Sequence, residues 1–129
     1  MEVPYSLEFH GTYVQIIHPP GFVASLDSVE NMWTHFAALC DRYNCRQLLV
    51  EAPGIKSQLE TMTAFDAGRN LAAINPGITV AFCLDNYEVD EAAKFFKTVA
   101  QNRGVKVEYF VNINDARDWL GANADDQPE

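Results

Sequence analysis

Glu51 and Asp85 are the carboxylates whose positions invite chemistry. They end or follow two short apolar runs, Gln47 to Ala52 and Ile78 to Leu84, which read as inner strands of an α/β sheet. Ligands of such open sheets bind beyond the carboxyl ends of the strands. Two carboxyl groups converging there would do acid–base work or hold a cation. Taken singly, acidic residues at strand ends cap the next turn or meet water, and that is the expectation for this pair. His10, His18 and His35 lack the HExxH spacing that sets two metal ligands on one helical face, so no metal is expected. Cys40, Cys45 and Cys83 form neither a CxxC pair nor an even set, and read as free thiols of the core. With no GxGxxG, GxxxxGK[ST] or GxSxG motif present, the sequence assigns no catalytic residue and no cofactor.

The hydroxyls after the first of those strands carry a different possibility. Ser57 with Glu60, and Thr63 with Asp66, both match the [ST]-x-x-[DE] pattern whose side chains satisfy the free amides of a helix's first turn. Simple capping is the plainer expectation for both. The same free amides and the positive end of the helix dipole also accommodate a phosphate. Lys56, Ser57, Thr61 and Thr63 are therefore the candidate interaction or phosphorylation surface, since loops beside strand ends carry function more often than cores do.

Those positions depend on the elements around them. Tyr5 to His10 and Thr12 to His18 read as two strands joined by a tight turn at Gly11. Leu26 to Tyr43 has its apolar residues on one helical face, with Met32, Trp33, Phe36, Leu39 and Cys40 among them. After the strand Gln47 to Ala52, a helix begins at Ser57 or at Thr63 and ends at Asn75-Pro76-Gly77. Its face of small residues would allow close approach to a sheet. The strand Ile78 to Leu84 reads as central. A helix over Val89 to Arg103 turns Phe96 inward and leaves Phe95 at the edge, with Gly104 ending it in a left-handed conformation. A strand over Val105 to Val111 follows, then a short helix capped by Asn114 and carrying Trp119 and Leu120. The order is ββαβαβαβα, which predicts an α/β fold: one mixed, mostly parallel five-stranded sheet flanked by four helices. The expected organisation is a single domain over 1–121 and an acidic, flexible tail over 122–129.

Composition restricts the partners. The chain has 129 residues, 48% of them hydrophobic, and a formal net charge of −9. That charge argues against nucleic acid and anionic lipid surfaces. A local cluster of Lys94, Lys97, Arg103 and Lys106 could meet an acidic partner but reads first as a solvated helix face. No apolar run is long enough to cross a membrane, and the N-terminus has no export signal, so a cytoplasmic location is expected. A protein partner is the expected ligand, with self-association left open.

The element order over residues 5 to 120 resembles the STAS-like superfamily, and within it the SpoIIAA-like group of uncharacterised bacterial proteins. The resemblance is carried further by Phe95-Phe96-Lys97-Thr98-Val99-Ala100-Gln101-Asn102-Arg103-Gly104-Val105, by Val107-Glu108-Tyr109-Phe110 and by Asp115-Ala116-Arg117-Asp118-Trp119-Leu120. It implies non-enzymatic regulatory or ligand-binding work. In anti-sigma-factor antagonists of the superfamily a Ser in an Asp-Ser-Ser-Gly-like motif before the second helix is phosphorylated. Here that stretch is Ala52-Pro53-Gly54-Ile55-Lys56-Ser57-Gln58-Leu59-Glu60-Thr61, with Ser57 the nearest hydroxyl in place and the motif itself missing. The alternative expectation is a small apolar ligand or lipid held between sheet and helices, with Trp33, Met62, Phe65 or Phe96 lining the cavity.

Overall fold

A computed structural model describes residues 6–18, 26–52, 61–75, 77–84 and 91–122, with side chains described for all of these except 26–29, 61–63 and 122. The chain order is β1 (Ser6–Phe9), β2 (Val14–Ile17), α1 (Leu26–Tyr43), β3 (Gln47–Glu51), α2 (Thr61–Ile74), β4 (Thr79–Cys83), α3 (Glu91–Gln101), β5 (Lys106–Phe110) and α4 (Ile113–Ala122). This is the expected order. The five strands form one sheet in which spatial order repeats chain order, β1-β2-β3-β4-β5. β1 pairs antiparallel with β2, and the other neighbours are parallel.

Strand order fixes where the helices lie. Three crossovers that all step the same way across a sheet put their helices on one face when each is right-handed. One core cluster accordingly joins Met32, Trp33 and Phe36 of α1, Ala64, Ala67 and Leu71 of α2, and Phe96 and Ala100 of α3. Opposite them stand Val14, Ile16, Leu48, Val50, Val80 and Val107 from four strands. The strand residues in between point the other way, where Leu49, Ala81 and Cys83 meet Ala116 and Leu120 of α4. The four helices thus divide three to one between the two faces.

The local signals hold with three corrections. Gly11 and Gly104 have φ of +88° and +90°, as a tight strand turn and a helix terminator require. α4, however, is capped by Asn112 rather than Asn114: the Asn112 Oδ1 accepts from the Asn114 amide at 2.8 Å and the Asp115 amide at 3.4 Å. α2 begins at Thr61, so Thr63 lies inside the first turn and does not precede the helix as a cap must. Ser57 and Glu60 fall outside the described residues. The small face of α2 also serves a different neighbour. A Cβ on Gly68 would lie 3.0 Å from the Phe96 carbonyl oxygen and 3.1 Å from the Val99 Cβ, so the missing side chain lets α2 approach α3 rather than the sheet.

α1 and α3 end alike. The Cys45 amide donates to the Cys40 carbonyl, and the Val105 amide to the Ala100 carbonyl, each at 3.1 Å. The residue before each donor, Asn44 or Gly104, is left-handed. Both are six-residue helix stops that bring the first and last side chains together.

Candidate functional site

β2 to β5 are parallel, so their carboxyl ends and the starts of α1, α2 and α3 line one edge of the sheet. Backbone pairing continues past the strands there. The His18 amide donates to the Glu51 carbonyl at 2.8 Å, Ala52 to Cys83 at 3.1 Å and Leu84 to Phe110 at 2.8 Å. β3 is the middle strand, so the chain that leaves it for α2 departs from the centre of this edge.

Of the candidate surface, Thr61 is the first residue of α2 and Thr63 the third. Lys56 and Ser57 lie outside the described residues, as does Asp85, so the proposed carboxylate pair is represented by Glu51 alone. Glu51 is half-buried at the end of β3, opposite Ile17 and Cys83.

The histidines are dispersed. His10 follows β1 at the opposite edge, stacked on Tyr13 and 3.4 Å from the Glu8 carboxylate. His35 is half-buried on α1. His18 continues the inward alternation of Val14 and Ile16 and is only 3% exposed. Its Nε2 lies 3.4 Å from the Met32 sulfur, and burial holds its pKa down at about 4, against the ordinary 6.5. The inward position was readable from the alternation along β2. Among the described residues no three His, Cys, Asp or Glu side chains gather as a metal would need.

Trp33 and Phe96 stack at 6.3 Å between ring centroids, and both meet Phe82 edge-on. They fill the core under the three helices. The Trp33 Nε1 is buried with no hydrogen-bond partner among the described residues. Phe65 sits further out, half-buried and stacked on Phe95 at 6.1 Å, with the Arg69 and Arg103 guanidinium groups 5.8 and 5.6 Å from its centroid. Met62 has no described side chain. The basic cluster is engaged within the fold: Lys97 donates to both Glu108 carboxylate oxygens at 2.9 and 3.0 Å, Lys94 faces Glu91 at 3.8 Å, and Arg103 donates to the Val99 carbonyl at 3.2 Å.

Two of the three cysteines come together, which sequence spacing did not suggest. The Cys40 Sγ donates to the Cys45 carbonyl, while the Cys45 Sγ lies 3.2 Å from the Thr12 carbonyl oxygen and 3.4 Å from that of Gln47. Burial pushes both thiols above their ordinary range. Cys83 is buried on the other face, under α4. The signal for the pair was Asn44, the non-glycine residue that most readily turns left-handed after a helix.

No family model matches this chain, and no curated protein or solved structure matches it either. Among the described residues, no helix is long and apolar enough to cross a membrane.

Proposed function

We propose that the chain is a non-catalytic regulatory or protein-interaction module of the STAS-like, SpoIIAA-like kind, with its contact surface at Lys56, Ser57, Thr61 and Thr63. The observation that carries this reading is the place of the β3-to-α2 connection. It leaves the middle strand of a five-stranded sheet and enters the middle of three same-face helices, so a partner resting there meets the centre of the carboxyl edge. Ser57 precedes α2 by four residues in sequence, and a negative charge close to a helix start is one that the dipole tolerates and that changes what a surface attracts. The test is capture from lysate with wild type, Ser57→Asp and Lys56→Glu, beside urea unfolding of each. Ser57→Asp should alter stability by less than about 1 kcal/mol, comparable to a cap exchange, while changing the captured set. The same set from all three proteins would defeat the proposed surface.

A second reading, a small apolar ligand or lipid between sheet and helices, has one observation in its favour. The buried Trp33 indole N–H finds no acceptor among the described residues, and a ligand oxygen would supply one. Native mass spectrometry of freshly purified protein separates the readings, because a co-purifying small molecule supports the second and moves the contact surface away from Ser57.

A further inference from the structure

The turn that ends α1 holds two thiols in the positions where such a turn normally holds an apolar contact. In the matching turn after α3 those positions are Ala100 and Val105, 0% and 1% exposed. In α1 they are Cys40 and Cys45, and the Cys40 sulfur already lies against the Cys45 carbonyl. The path from one Cα to the other runs through the Cys40 carbonyl, a 3.1 Å hydrogen bond and the Cys45 nitrogen. Even drawn out straight it spans only about 7 Å. Disulfides bridge Cα atoms roughly 4.4 to 6.8 Å apart, so any natural bend in that path brings the pair into range.

We propose that Cys40 and Cys45 form a dithiol modification site that small-molecule disulfides close to an intramolecular disulfide by thiol–disulfide exchange. Cys40, the half-buried member, is the entry point. Its thiolate attacks one sulfur of the reagent, whose S–S bond breaks and whose other half leaves as a thiolate. Cys45, deprotonated in turn, attacks the Cys40 sulfur and expels the second half as a thiolate. The protein loses two protons and two electrons, and the reagent is reduced to two thiols. Closure requires the Cys45 sulfur to leave the Thr12 and Gln47 carbonyls that it touches in the reduced state. The redox state of the pair is thereby felt at the turn between β1 and β2.

The test treats reduced, folded full-length protein with glutathione disulfide at mildly alkaline pH, followed by intact-mass measurement and peptide mapping. Wild type and Cys83→Ser should each lose two hydrogens, show a Cys40–Cys45 link and retain no glutathione at either position. Cys45→Ser should instead keep a glutathione adduct on Cys40, because the resolving thiol is gone. A persistent adduct on Cys40 of wild type would overturn the proposal. So would a link through Cys83, or folded thiols that stay unreacted under conditions that oxidise the urea-unfolded chain.

Discussion

His18 sets the behaviour of the molecule in acid. Its imidazole is neutral when folded because the ring is buried, with a pKa near 4 in place of 6.5. Unfolding returns it to water, where it gains a proton below pH 6.5. Its contribution is therefore complete above pH 6.5, shrinks as pH falls and levels off below about pH 4. Between pH 7 and pH 5 the loss amounts to roughly 2 kcal/mol. Urea unfolding of wild type and His18→Gln at both pH values isolates it, since the two proteins differ only at this position. The variant should lose that share of the pH dependence, and equal slopes would assign it to another group. His18 also shows how legibility works for single residues. Its inward direction follows from alternation along β2, but its contact with Met32, fourteen positions later in sequence, depends on how α1 crosses the sheet, which no local pattern encodes.

At the scale of elements, α3 offers the cleanest contrast between two adjacent rings. Phe96 is 5% exposed and packs on Trp33 and Phe82, while Phe95 is half-buried and touches Phe65 across the α2–α3 groove. Phe96→Ala should cost about 3 to 5 kcal/mol by losing a buried ring and leaving a cavity. Phe95→Ala should cost clearly less in the same unfolding assay, and equal losses would show that both rings are core. That contrast is written in the helical period of α3, as are the boundaries of α1 and the left-handed stop at Gly104. What the period does not contain is which neighbour a face meets. The small face of α2 was expected against the sheet, and only the tertiary arrangement gives Gly68 to α3. Caps failed for a related reason: Asn112 and Asn114 are equally good candidates by type, and backbone direction after β5 decides between them.

For the whole molecule, folding is expected to need neither metal nor disulfide. Apolar side chains of eight elements form the two clusters on the faces of the sheet, partly buried Leu7 of β1 packs against the larger one, and the cysteines are free thiols. Chelator and reductant should leave the melting midpoint of freshly purified protein within about 5 °C of its untreated value, on the order of 1 kcal/mol for a chain of this size. A larger drop would reveal a bound metal or a cross-link that the reduced fold depends on. The architecture was legible almost entirely, because alternating periods of two and 3.6 dictate strand, helix and crossover in turn. The candidate surface was legible only as residue types, since Ser57 and Lys56 belong to a connection with no period to read.

The strand order has one more consequence, for the time course of assembly. Each strand pairs with the one made just before it, so the sheet can be laid down in the order of synthesis, each parallel pairing closing over a single intervening helix. The exception is the last helix, which turns back from β5 so that the Leu120 carbonyl accepts the side-chain N–H of Gln47 at 2.7 Å, in the middle strand. A nascent chain stopped before α4 can thus hold a nearly complete sheet whose second face, with Leu49, Ala81 and Cys83, is still bare. Docking of α4 onto Leu49, Ala81 and Cys83 is then the step that separates a sticky intermediate from a covered sheet.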